Sequence, residues 1–239
     1  MERQHEVVII GGGPVGLGLA AELGQRGIDC ALVERHIAPV RIPKGQSLTN
    51  RTLEHFYFWG CVDELRAARV LPPGFPIGGI TAYGSLMSRY FWERTGGTAR
   101  GPRVEDYFFQ RNERLPQYCT EAVLRDRLAA LPSVTTLFGW TAERIDQDDD
   151  GAEVIIRPSG GGAFYSWSAD AGSQVGQGVS TDAEEQRVIR AQYLVGCDGG
   201  RSLVREAMEI DRAGRDSISG WCSPSSVLKS CTRRSSGFH

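Results

Sequence analysis

No two of the six cysteines, at 30, 61, 119, 197, 222 and 231, are spaced as Cys-x-x-Cys, and the four histidines, at 5, 36, 55 and 239, share no metal-ligand spacing. No metal site can be read from such a pattern. Scattered single thiols in a chain of 239 residues point to a reducing compartment rather than a disulfide framework. Charge of neither sign is in excess: the formal net charge is -2. That excludes a polyanion-binding surface spread over the whole molecule, and no nucleic-acid partner is expected. A positive leader is also missing, since residues 1–6 hold one arginine against two glutamates. The mostly apolar stretch 7–21 is full of glycine and runs on into Glu22, so neither a signal peptide nor a membrane span is expected, and the expected location is the cytoplasm. What is present is ordinary for a globular chain, with 41% hydrophobic and 23% charged residues. The length allows one large or two modest domains.

The run Val7-Val8-Ile9-Ile10 is short, unbroken and β-branched, as expected of a strand buried on both faces of a parallel sheet. Glycines follow at once, then Pro14 at a plausible first helical position. Leu19, Ala20 and Leu23 give that helix an apolar face, and Gly27 ends it. A second strand is expected over 29–34. Strand, helix and strand within about 30 residues make one βαβ unit, which places the chain in the α/β class.

Further along, 35–50 reads as a loop and 51–58 as a helix stopping near Gly60. Prolines 72, 73 and 76 and the pair Gly78-Gly79 break the chain. Aromatic and β-branched residues from Ile80 to Phe109 suggest short strands of a different layer. Val123, Leu124, Leu128 and Leu131 give 120–131 helical spacing. Segments 141–147 and 152–157 flank Asp148-Asp149-Asp150-Gly151, read as a solvated hairpin turn and not as a metal site. Residues 158–187, rich in Gly, Ser and Ala, read as a flexible insertion. A strand over 188–196 and a helix from Ser202 follow. The last 29 residues hold eight serines and no apolar period, so 211–239 is expected to be a disordered tail.

Gly11-Gly12-Gly13-Pro14-Val15-Gly16 fits Gly-x-Gly-x-x-Gly. Gly11 permits the tight turn out of the strand, Gly13 lets the backbone approach a pyrophosphate, and Gly16 lets the helix pack on the strand. The phosphates would sit at the helix N-terminus, where unpaired N–H groups and the helix dipole favour negative charge. Glu34 closes the next strand 18 residues past Gly16. Its carboxylate would accept hydrogen bonds from ribose hydroxyls and repel a 2′-phosphate. The expected ligand is thus an adenine dinucleotide lacking that phosphate, FAD or NAD; the βαβ unit by itself leaves the two open.

Two later segments bear on that choice. They are Arg114-Leu115-Pro116-Gln117-Tyr118-Cys119-Thr120-Glu121 and Cys197-Asp198-Gly199-Gly200-Arg201-Ser202-Leu203-Val204-Arg205. Together with the glycine turn they resemble the single-component flavoprotein aromatic hydroxylases, the family of para-hydroxybenzoate and phenol hydroxylases. The three motifs fall in the family's order, and the resemblance runs from about Glu6 to Ile210. It implies a Rossmann-like FAD-binding domain over 1–210 with a parallel sheet. Residues 76–115 would be an excursion into part of a β-rich substrate layer.

The resemblance further implies FAD as cofactor, NAD(P)H as co-substrate, and O₂-dependent hydroxylation of a small, usually phenolic, aromatic substrate. In that chemistry the cofactor oxidises while the protein orients and excludes water, so no side-chain triad is required. Among the residues, Gly11, Gly13, Pro14, Val15, Gly16, Glu34 and Arg35 would contact the cofactor. Arg51 would lie near the flavin or its phosphates, Gln117 would bond the flavin's linking chain, and Asp198 would act through its backbone and carboxylate. Each of the last three also has a plain alternative: an exposed helix-start arginine, a helix-entry residue, and a cap for the helix at Ser202. Cys197 reads as a buried strand thiol.

The chain departs from the family after Ile210. The second Gly-Asp motif, which the family sets against the flavin phosphates, is missing, and 211–239 resembles nothing in it. The expectation that follows is a truncated protein that binds FAD weakly and hydroxylates poorly. Competing readings are another FAD-dependent oxidoreductase, which would lack the Asp-Gly segment, and a non-catalytic FAD-binding fragment.

Overall fold

The computed structural model describes residues 3–42, 45–72, 79–82, 91–94, 106–160, 165–166, 174–175 and 185–211. One compact unit spans Met1–Met208; of the second, Glu209–His239, only 209–211 are described. The expected disordered tail and most of the expected insertion at 158–187 lie outside the described residues, as does much of the expected substrate layer.

Strand β1 (Arg3–Ile10) leads into helix α1 (Pro14–Gln25) and strand β2 (Cys30–Glu34). The helix begins at its proline, which already has a helical φ and no N–H to leave unpaired. It ends at Gly27, where φ is +76° and the Gly27 N–H donates to the Gly24 carbonyl. Next come β3 (Ser47–Leu48), α2 (Asn50–Phe58) and α3 (Val62–Ala67). The segment expected to be a loop thus carries a short strand, held by antiparallel pairing with Glu113 and Arg114. Helix α3 had no sequence signal beyond two apolar residues; it forms because Val62 and Leu65 are buried in the core.

The chain continues through β4 (Gly79–Ala82), β5 (Phe91–Arg94), β6 (Glu113–Arg114), α4 (Gln117–Ala129), β7 (Val134–Phe138), β8 (Trp140–Asp148) and β9 (Gly151–Pro158). Strands β10 (Tyr165–Ser166) and β11 (Gln174–Val175) pair with each other, and β12 (Arg187–Gly196) precedes a 3₁₀ turn and α5 (Leu203–Ala207). Strands β4 and β5 form an antiparallel pair, so within the expected 80–109 region the described strand structure is this one hairpin. At the β8–β9 turn the Asp148 carboxylate accepts from the N–H groups of Asp150 and Gly151. Asp149 and Asp150 form the turn, and Gly151, which alone there has a positive φ, begins β9.

One six-stranded sheet has the order β7-β2-β1-β12-β9-β8. Its β7, β2, β1 and β12 are parallel; β9 pairs antiparallel with β12, and β8 antiparallel with β9. β1 lies between β2 and β12. Its Val7 and Ile9 pack into a core shared with α1, α2 and α4, while Val8 and Ile10 pack into a second core with β9, β12 and α5. Cys30 and Leu32 of β2 go to the first core, Ala31 and Val33 to the second. Two covered faces are why these strands read as unbroken apolar runs. Ile9 is fully buried at the centre of the first core. Ile9→Ala is expected to cost about 2–5 kcal/mol, measured as a fall in the urea midpoint at unchanged slope.

Candidate functional site

At the carboxyl ends of β1, β2 and β12 the sheet opens into a cavity of about 480 Å³. This is where an open α/β sheet binds ligands, because chain connections diverge to either side of the first strand and leave a crevice. Gly11, Gly12, Gly13, Pro14 and Val15 form one wall. The glycines there do three different things. Gly11 has φ +105°, its N–H donates to the Val33 carbonyl at 2.8 Å, and a Cβ on it would overlap the Cys197 carbonyl. Gly16 is buried against the Gly11 carbonyl, which a Cβ would likewise overlap. Gly13 has nothing within 4 Å of its would-be Cβ. The first two are demanded by the protein's own packing. The third opens onto empty space in front of α1, whose N-terminus carries no side-chain cap and no acidic residue in its first turn. Such an end favours an anionic group.

Glu34 stands where β2 ends, and its carboxylate is already aimed: Oε2 accepts from the Gly12 N–H at 2.6 Å and Oε1 from the His36 N–H at 2.8 Å. A carboxylate offers about four acceptor positions, so lone pairs remain for a ligand's hydroxyls. Arg35 and Arg201, both exposed, add positive charge along the wall.

The opposite side is built by α4 and β8. Pairing of β3 with β6 brings the Gly45 carbonyl to the Gln117 N–H at 2.9 Å, setting the start of α4 beside the cavity. Gln117 lines it and donates through Nε2 to the Glu121 carboxylate at 2.7 Å. Glu121, Arg125 and Trp140 also line the cavity and had no place in the sequence reading. A signal did exist: Gln117, Glu121 and Arg125 fall four residues apart, a polar stripe along a helix whose Val123, Leu124 and Leu128 are buried.

Asp198 lines the cavity, but its carboxylate turns inward, accepting from the Ser202 hydroxyl at 2.5 Å and the Val204 N–H at 3.2 Å. Ser202 in turn accepts from the Arg205 N–H. The aspartate thus serves as a helix-capping group. Burial, with Asp198 beside it, pushes the Cys197 thiol up from its ordinary pKa, so this wall residue stays protonated near neutrality. Buried Cys30 and Cys61 are raised further, each to about 11.

Arg51 is the one sequence-chosen residue besides buried Gly16 that is not in the cavity wall. Its guanidinium, largely exposed, bonds the buried Glu54 at 3.0 Å one turn along α2, and Glu54 also accepts from the Phe109 N–H. That local ion pair holds Arg51 in the helix-start role given above as its plain alternative. Among the described residues no group of three or more His, Cys, Asp or Glu could hold a metal ion, and no helix is long and apolar enough to cross a membrane.

A glycine turn, an uncapped helix end and a carboxylate at the tip of the next strand define a dinucleotide-binding protein of the α/β class. Residues 4–232 match a family model described as FAD binding domain, and the chain belongs to that family. The match continues through 232 and so corrects the reading that nothing after Ile210 resembles the family. A 3-(3-hydroxy-phenyl)propionate/3-hydroxycinnamic acid hydroxylase of Burkholderia vietnamiensis (strain G4 / LMG 22486) is 31% identical over 219 residues, 92% of this chain and 34% of that protein. The enzyme of that name from Escherichia coli (strain K12 / DH10B) is 26% identical over 90% of this chain and 33% of its own length. The flavin-dependent monooxygenase PieE, solved in complex with FAD and substrate, superimposes with a TM-score of 0.68 at 26% identity, covering 89% of this chain and 33% of PieE. OxyS anhydrotetracycline hydroxylase from Streptomyces rimosus gives 0.61 at 28% identity, covering 89% of this chain and 35% of OxyS. The chain therefore spans about a third of the length of the relatives it matches.

Proposed function

We propose that the cavity holds FAD and that this chain provides the FAD-binding part of a flavin-dependent monooxygenase. Its reaction would use NAD(P)H and O₂ to hydroxylate a small phenolic or other aromatic substrate. One observation carries the cofactor reading: the Glu34 carboxylate, bonded to the Gly12 N–H, stands beside the open space at Gly13. An acceptor suited to sugar hydroxyls would then stand next to a space suited to a diphosphate. The names of the relatives support the reaction class.

FAD, when bound, supplies the redox and oxygen chemistry. The chain's own groups bind and orient it. Glu34 would hold the adenosine ribose, and the main chain of 12–15 with the end of α1 would hold the diphosphate. Arg35 and Arg201 would offset its charge, while Gln117, with its amide already fixed by Glu121, would meet the linking chain. Pro14, Val15, Ala142 and Leu203 add apolar wall that keeps water from the bound cofactor.

Titrating the purified chain with FAD while recording the visible spectrum tests this. Saturable perturbation of the flavin bands is expected, with NAD competing poorly; no change, or preference for NAD, would refute the cofactor assignment. Oxygen uptake with NADPH and 3-(3-hydroxyphenyl)propionate, with product analysis, tests the reaction. Hydroxylated product is expected from the protein carrying all of its family's parts, and NADPH-independent turnover would point to a different class of FAD oxidoreductase.

A further inference from the structure

Arg125 of α4 reaches across to the turn that follows β2. Its Nη1 donates to the Ile37 carbonyl at 2.6 Å and its Nη2 to the His36 carbonyl at 3.2 Å. Its guanidinium carbon lies 4.0 Å from the centre of the Phe138 ring. Both structures it touches bear on Glu34. The His36 N–H holds the Glu34 carboxylate, so one residue is gripped by Glu34 through its N–H and by Arg125 through its carbonyl. Phe138 is the register partner of Glu34 across β2 and β7, and the next residue's N–H, from Gly139, donates to the Glu34 carbonyl at 2.7 Å.

We propose that Arg125 is a positioning residue for the adenosine half of the cavity: its planar fork clamps the turn after β2 and thereby fixes the aim of the Glu34 carboxylate. The proposal rests on the reading of this cavity as an FAD site. A lysine would not replace it, because an ammonium lacks both the two-pronged geometry and the flat face that lies over Phe138. Burial lowers the guanidinium's pKa, with Glu34 and Glu121 opposing that effect, and the group stays charged between two carboxylates of the cavity wall.

A double-mutant cycle on the intact chain tests this, with FAD and ADP as probes in equilibrium titrations and melting curves run on every variant. Arg125→Met is expected to weaken both probes by about tenfold, the size of one lost charge-assisted hydrogen bond. Arg125→Lys should recover little of that. In a Glu34→Gln background the Arg125→Met change should cost almost nothing more, because its effect runs through Glu34. Additive losses, or full affinity in Arg125→Lys, would overturn the proposal. If Arg125→Met does not fold, the lysine variant alone decides: native melting with weakened FAD and ADP supports the clamp, and native affinity refutes it. An unaltered chain that binds neither probe would overturn the FAD reading itself, a result distinguishable from an additive cycle in a chain that binds both.

Discussion

Gly16→Ala is expected to lower the melting temperature of the ligand-free chain by about 6–12 °C, from a loss of about 3 kcal/mol, whereas Gly13→Asp should leave it unchanged or slightly higher; both should abolish FAD binding. The two glycines sit three residues apart in one motif and look interchangeable as sequence. A methyl on Gly16 runs into the Gly11 carbonyl, and beside it lies the Cys197 side chain at 3.2 Å. No rotamer change relieves a clash with main chain, so the first turn of α1 must pull away from β1. At Gly13 a side chain meets nothing, and its φ of -74° and ψ of -177° suit any residue. Aspartate there also supplies the side-chain cap that α1 lacks, a gain over glycine of roughly a few tenths of a kcal/mol. Its carboxylate would occupy the space meant for the diphosphate and repel it. Differential scanning fluorimetry without ligand, followed by FAD titration, separates the effects. A Gly13→Asp chain that still bound FAD at full affinity would mean the phosphates lie elsewhere.

Reversing the charge at Glu34 should have the second largest effect. Glu34→Arg is expected to weaken FAD roughly 10- to 100-fold, from losing charge-assisted hydrogen bonds worth about 1.5–3 kcal/mol. Glu34→Gln should fall between that variant and the unaltered chain. An amide has one acceptor oxygen, so it cannot serve the Gly12 and His36 N–H groups together as the carboxylate does. The same arginine should narrow the preference between NAD and NADP, since the native carboxylate repels a 2′-phosphate and the substitute attracts it. Isothermal titration of FAD, NAD and NADP against each variant measures both effects. Equal FAD affinity in all three chains would remove Glu34 from the site.

The first strand, helix and second strand were legible because each is specified locally. A β-branched run, a proline, two leucines on one helix face and a terminal glycine fall within one stretch of chain; the structure starts the first strand four residues earlier, at Arg3, and otherwise departs from the reading by a residue or two. The β8–β9 hairpin and β12 were legible for the same reason, through alternation and an acidic turn. Helix α3 was not, because six residues carry too little periodic signal and its stability comes from burying Val62 and Leu65 against other elements. Arg51 and Asp198 show a different limit. Residue type and motif position nominate them as ligand contacts, and only the folded chain shows which protein partners their side chains take. Glu54 holds Arg51, and Ser202 with the Val204 N–H holds Asp198.

The amino-acid order determined the βαβ unit and the demand for glycine at its turn, because strand, helix and turn chemistry act over a few residues. The acid at the tip of the second strand was readable in the same way. Only the tertiary structure decided what surrounds that acid. Packing of α4 brings Arg125 and Glu121 to the cavity from about 90 residues away along the chain, and pairing of β2 with β7 sets Phe138 against the Arg125 guanidinium. Contacts at that separation leave no pattern in the intervening sequence, since they are formed by the shared burial of two cores and not by neighbouring residues.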